Sequence, residues 1–214
     1  IPEGALQGVT ASPGLAIGKV AWLAADETVD VPEHADDPAA EIAALEAALA
    51  SVAGDIAARA TGSGDQRHIF EAHQAMLADP DLIASAKAQI AEGRSAGYAW
   101  RHATGALAAI LKDSGDSRIA GRVADLEDIE RQVLNALYGG ESAAQSFAPD
   151  TILFARDLLP SQLVELDLSP VAAIVLIEGG PTSHVAILSA SMNIPALAAM
   201  GEDIAAVSNG DTVI

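Results

Sequence analysis

The sequence contains no cysteine. Disulfides, thiolate metal sites and cysteine nucleophiles are therefore excluded, and the absence suits a reducing compartment. Aromatics are scarce, with three Phe, two Tyr and two Trp in 214 residues. A core must then rest on aliphatic side chains, and the abundant Ala favours closely packed helices, because Ala has the highest helix propensity. Basic residues are few: 11 Lys and Arg stand against 30 Asp and Glu, a formal net charge of −19. Such a field repels nucleic acid and anionic membrane surfaces, so neither is an expected partner; it serves solubility and attracts basic surfaces. No apolar run approaches the roughly 20 residues that a membrane helix needs, and no signal peptide is visible. A cytoplasmic protein is expected. The first residue is Ile1, not Met, so the sequence is expected to be part of something longer or a processed product.

What is present divides by hydrophobic period. Leu15 to Ala24 is apolar and partly β-branched and follows the turn signal Ser12-Pro13-Gly14, which predicts a strand. After an acidic connection over 25–37, Asp37–Pro38 is a helix start, with Asp as N-cap and Pro at the first position. Ile42, Leu45, Leu49, Val52 and Ile56 recur at helical spacing. A second helix is predicted over 65–78, a third from Asp79–Pro80 to near Gly93, a fourth from Ser95 to about Lys112 and a fifth from about Asp116 to Tyr138. Short links between them predict antiparallel hairpins. Asp116, Asp125 and Asp128 are expected to form a solvated face.

From residue 150 strands and helices alternate. Strands are predicted at 151–155, 172–177, 195–199 and 212–214, and helices at 160–166 and 183–192. The fold class is thus α/β plus all-α. Residues 1–24 have no strand neighbours inside the helical block, so they are expected to join 148–214 in one α/β domain, with 25–147 inserted as a helical domain.

The segment with chemical content is Glu178-Gly179-Gly180-Pro181-Thr182-Ser183-His184-Val185-Ala186-Ile187-Leu188. An apolar strand feeds a glycine pair, two hydroxyl residues, a histidine and an apolar helix. Glycine permits a tight turn and close backbone approach, and Thr182 or Ser183 can cap the helix. His184 then falls in the first turn, where free amides and the positive end of the macrodipole form a ready phosphate site. An imidazole there can attack through one ring nitrogen when an acceptor holds the other. Gly179, Gly180, Thr182 and Ser183 are the candidates for supporting the phosphoryl oxygens. No metal site is read from the sequence: His68 and His73 are five apart and share no i,i+4 helix face.

The stretch Gly179 to Ala198 (GGPTSHVAILSASMNIPALA) resembles the phosphohistidine signature of enzyme I of the bacterial sugar phosphotransferase system and of its relatives, the phosphoenolpyruvate synthases and pyruvate phosphate dikinases. Gly8 to Ala16 (GVTASPGLA) is similar to the opening motif of enzyme I. Ile69 to His73 (IFEAH), with Met76, Leu77 and Asp79, resembles its helical partner-binding segment, and Asp157 to Ser161 (DLLPS) resembles the loop beside its phosphohistidine. The resemblance implies a swivelling α/β phosphohistidine domain with an inserted helical-hairpin bundle. It implies that His184 accepts phosphate originating from phosphoenolpyruvate and passes it to a histidine of the carrier HPr. Phosphoenolpyruvate and Mg²⁺ would bind in a C-terminal barrel that these residues do not include, so no cofactor is expected here. HPr would dock on Asp65, Ala72, Met76, Asp81, Leu82 and Arg122. These residues alone are expected to be monomeric and the full-length protein a homodimer.

Three departures from the family pattern stand out. Leu159 occupies a usual Thr position, Pro181 follows the glycine pair where Arg is common, and Ala190 stands where the helix usually carries Arg. The reactive domain therefore holds fewer cations than its relatives. Alternatives compatible with this are a regulatory HPr-binding module, the enzyme I-like part of a dihydroxyacetone kinase phosphotransfer subunit, and the mobile domain of a synthase or dikinase.

Overall fold

The computed structural model describes residues 6–24, 29–60, 65–113, 120–139, 145–180 and 183–214. The chain forms two compact units, Ile1–Asp26 together with Ala143–Ile214, and Glu27–Ser142. No helix among the described residues is long and apolar enough to cross a membrane.

The unit Glu27–Ser142 is helical: α1 (Pro38–Arg59), α2 (Asp65–Leu77), α3 (Pro80–Ala91), α4 (Ala96–Asp113) and α5 (Ala120–Tyr138). Two of the starts are fixed by aspartate. Asp37 accepts from the Ala39 and Ala40 amides at 3.0 and 3.1 Å, and Asp79 from the Asp81 and Leu82 amides at 2.9 and 3.2 Å, satisfying donors that a helix start leaves unpaired. Leu45, Leu49, Val52 and Ile56 of α1 face inward, as do Leu82, Ala86 and Ile90 of α3 and Trp100 of α4. Gly54 interrupts the good helix formers of α1, and an added Cβ there would meet open space. Gly54→Ala is therefore expected to stabilise the helical unit by about 0.5–1 kcal/mol, read as a raised urea midpoint at unchanged slope.

One expectation fails here. Asp125 and Asp128 are not a solvated face: they are 3% and 0% exposed. His73 of α2, itself fully buried, lies 2.8 Å from Asp125 through Nε2 and 3.7 Å from Asp128 through Nδ1. Arg122 and Arg131 approach the same two carboxylates at 3.8 Å. Polar partners gathered from two helices, the His73 ring and the two arginines, make this burial tolerable, because a buried charge must be paired and hydrogen-bonded. Asp116 lies outside the described residues.

The other unit holds β1 (Val9–Ser12), β2 (Gly18–Trp22), β3 (Thr151–Ala155), α6 (Pro160–Glu165), β4 (Val171–Leu176), α7 (His184–Ser191), β5 (Ala196–Ala198), a 3₁₀ turn (Glu202–Ala206) and β6 (Thr212–Val213). The sheet order is β1-β5-β4-β3-β2-β6. The four central strands run parallel and the two edge strands antiparallel to their neighbours. Central parallel strands are covered on both faces, and all five residues of β3 are accordingly buried. Val20, Ile152, Phe154, Val175, Met200 and Ile204 form a core, with Trp22 edge-on to Phe154 at 5.2 Å between ring centroids. The N-terminal strand is thus part of this sheet, beside β3. It is shorter than the 15–24 run suggested, and β1 is a separate edge strand that the hydrophobic pattern did not announce.

Candidate functional site

In open parallel sheets ligands bind outside the carboxyl ends of the strands. Here β3, β4 and β5 end at one edge: Ala155 pairs with Leu176, and Val175 with Leu197. The chain leaving β4 is braced on both sides. The Glu178 amide donates to the Arg156 carbonyl at 2.9 Å, and the Glu178 carbonyl accepts from the Ala199 amide at 3.0 Å. Gly179 follows at φ +85°, a conformation that an L side chain rarely adopts. A Cβ there would also stand 3.8 Å from Ser183 Oγ and 3.9 Å from Asp157 Oδ1.

The turn closes when the Ser183 amide donates to the Gly180 carbonyl at 3.1 Å. Ser183 is then the N-cap of α7: its Oγ accepts from the Ala186 amide at 3.3 Å. His184 is the first residue of that helix and is half-buried. It sits where the macrodipole is positive, neither sealed among apolar side chains nor fully in solvent. Ser183→Ala removes the cap and is expected to cost about 1 kcal/mol of unfolding free energy, measurable by urea titration. Thr182 lies outside the described residues.

Asp157 opens the loop that packs against this turn. Its Oδ1 accepts from the Leu158 amide at 2.8 Å, so the carboxylate is held near Gly179 and Ser183. Leu159, in the usual Thr position, offers no side-chain oxygen to α6. Gln162 compensates in part, its Oε1 accepting from the Leu159 amide at 2.7 Å. Ala190, where the resemblance leads one to expect Arg, is exposed and supplies no charge.

The same strand ends hold an ion cluster that the sequence reading missed. Arg156 Nη1 donates to Glu178 Oε1 and to Glu202 Oε1, each at 2.9 Å, and Nη2 donates to Glu202 Oε2 at 3.2 Å. These bonds, Glu202 first and Glu178 second, raise the guanidinium pKa further above its ordinary value. A signal was available: Lys19 and Arg156 are the only Lys or Arg within 1–24 and 148–214.

The expected docking residues separate by exposure. Ala72 and Met76 lie half-buried on one face of α2, and Met76 packs against the cluster of Ala108, Val123 and Leu126. Asp81 is exposed in the first turn of α3, and Arg122 is half-exposed on α5 beside that cluster. Leu82 is 5% exposed and faces the core in the stripe with Ala86 and Ile90; it has no surface to offer a partner. Asp65 is the first residue of α2, and its side chain is not among those described.

Residues 7–122 match the family model for the N-terminal domain of PEP-utilising enzymes, and residues 147–214 match the model for their mobile domain. The chain is 35% identical over 217 residues to a multiphosphoryl transfer protein of Rhodobacter capsulatus, covering 98% of this chain and 26% of that protein. It is 35% identical over 206 residues to a phosphoenolpyruvate-protein phosphotransferase of Streptomyces coelicolor, covering 92% and 36%. It thus spans a quarter to somewhat over a third of the length of these curated relatives. A solution structure of an enzyme I protein (nEIt) superposes with a TM-score of 0.67 at 28% identity, over 97% of this chain and 88% of that one.

Proposed function

The chain belongs to the PEP-utilising enzymes, and on that footing we propose that it relays phosphoryl groups between protein histidines, with His184 as the residue that is phosphorylated. The observation that carries this reading is the position of His184: first residue of α7, half-buried, directly after a glycine pair at the carboxyl edge of parallel strands. A ring nitrogen of His184 attacks the phosphorus of an incoming phosphohistidine. A new N–P bond forms at His184 as the N–P bond of the donor breaks, and the electron pair returns to the donor imidazole. Little covalent chemistry is asked of the protein, so catalysis rests on positioning and on charge stabilisation. Ser183 holds the helix start, Gly179 and Gly180 let the backbone approach the phosphoryl oxygens, and the positive end of α7 favours the negative charge that the phosphoryl group brings.

The proposed partner is an HPr-type phosphocarrier. The net charge of −19 suits a basic partner surface, and Ala72, Met76, Asp81 and Arg122 form the docking candidates, with Asp65 beside them in sequence on α2. The relation to multiphosphoryl transfer proteins and to phosphoenolpyruvate-protein phosphotransferases supports a relay in a sugar phosphotransferase system, set in the cytoplasm. Use of phosphoenolpyruvate and Mg²⁺ is proposed for the longer protein. No group of three His, Asp or Glu among the described residues is placed to hold a cation, and no step here runs through one.

The test is exposure of the purified chain to phospho-HPr, followed by intact mass at alkaline pH. A gain of one phosphoryl mass, stable in alkali, lost in acid and located on His184, is the expected result. Binding of the carrier without any gain would sink the relay and leave a docking module.

A further inference from the structure

We propose that Arg156 is the residue that neutralises the phosphoryl group on His184, and that Glu202 holds its guanidinium in reserve until that group arrives. The inference rests on the reading of His184 as the phosphorylated residue and extends it to the charge that such a site requires.

A phosphoryl group on a histidine brings about two negative charges, which call for more than amide donors. Within the α/β unit the supply of side-chain cations is small. Lys19 and Arg156 are the only Lys or Arg in 1–24 and 148–214. Lys19 lies opposite Thr151, the first residue of β3, at the edge of the sheet away from His184. Arg156 directly follows β3 at the carboxyl edge, and its carbonyl accepts from the amide of Glu178, the residue before Gly179. Asp157, next in sequence, places its carboxylate within 4 Å of the point where a Gly179 Cβ would stand, as does Ser183 Oγ. The Arg156 main chain and the turn that leads into α7 therefore meet at the same strand ends.

The guanidinium is not idle there. It makes two hydrogen bonds to Glu202 and one to Glu178, yet the three side chains are 60%, 67% and 54% exposed. Ion pairs at such exposure contribute little to stability, so a surface tie of this kind exchanges readily for a better anion. A phosphoryl dianion is a better anion: it presents more charge and three acceptor oxygens to the bidentate fork of Arg. In the unphosphorylated state Glu202 would keep the fork near the site and offset its charge. On phosphorylation the fork would move from Glu202 to the phosphoryl oxygens, while Glu178 keeps the arginine stem in place.

A purely structural tie between strand ends makes the opposite prediction for Glu202, and this separates the two. The purified chain and its R156Q and E202Q variants are each equilibrated with phospho-HPr, and the phosphorylated fraction is read by intact mass at alkaline pH. The proposal expects R156Q to shift the equilibrium about tenfold toward phospho-HPr, equivalent to about 1.4 kcal/mol. E202Q, by releasing the fork, should leave it unchanged or shift it severalfold toward His184. Should R156Q prove poorly folded, R156K replaces it; it keeps the charge without the fork and should shift the equilibrium in the same direction, less far. Losses of similar size in R156Q and E202Q, or no change in R156Q, would overturn the proposal. Failure of the unmodified chain to take up phosphate would refute the reading of His184 itself, which keeps the two ideas separable.

Discussion

His184→Gln abolishes phosphoryl uptake from phospho-HPr, with a fall in rate of at least about a thousandfold, the scale on which removing a covalent nucleophile acts. Glutamine is close to histidine in size and carries donor and acceptor atoms, but its amide nitrogen has no lone pair free to hold a phosphoryl group. Helix α7 should survive the change, since its start is set by Ser183 Oγ accepting from the Ala186 amide and His184 is only half-buried. Unfolding free energy is expected to stay within about 0.5 kcal/mol of the parent, as for other substitutions outside the core. Ser183→Ala supplies the contrast, with lower stability from the lost cap and phosphoryl uptake slowed but still detectable, since the nucleophile remains. Full uptake by His184→Gln, seen by intact mass, would mean that another residue carries the phosphate and would remove the basis of the relay.

The site and the fold were legible in the sequence to different depths, and the difference follows the range of the interactions. Asp37–Pro38 and Asp79–Pro80 announce helix starts because a cap is a bond between residues two or three apart. The turn and cap before His184 are legible for the same reason: the glycine pair, the capping Ser183 and the proposed phosphoryl acceptor lie within one short segment. By contrast β1, four residues long, is defined only by its antiparallel pairing with β5 at the far end of the chain. The tie among Arg156, Glu178 and Glu202 depends on the parallel register of β3 against β4 and on the 3₁₀ turn after β5, none of which a local pattern contains. Leu82 is a different case. Its spacing of four from Ala86 and of eight from Ile90 fits core packing as readily as a docking role, and its 5% exposure favours the core. The burial of Asp125 and Asp128 was illegible because the histidine that makes it possible lies on another helix, 52 residues from Asp125.

That buried cluster supports the second large effect, His73→Leu. Leucine fills most of the space of the ring but leaves Asp125 and Asp128, 3% and 0% exposed, without the imidazole that lies 2.8 and 3.7 Å from them. Arg122 and Arg131 remain beside them, but neither stands in the place of the ring that lies 2.8 Å from Asp125. Removing one partner from a buried ionic cluster costs about 3–5 kcal/mol, because the other charge stays desolvated. The helical unit should lose about that much. Trp100 is its only tryptophan and is fully buried, so in a Trp22→Phe background its fluorescence reports the unfolding of this unit in urea. Adding Asp125→Leu to His73→Leu should recover at least about 1 kcal/mol relative to the sum of the single changes, as expected for groups in direct contact; strict additivity would mean that the cluster does not act as one. The consequence reaches the proposed relay through α2, where Ala72 and Met76 flank His73. Loosening α2 from α5 should weaken carrier docking and raise KM for phospho-HPr while kcat holds, whereas His184→Gln removes the chemical step itself. A fall in kcat with unchanged KM for His73→Leu would place that cluster in the chemistry and not in the docking surface.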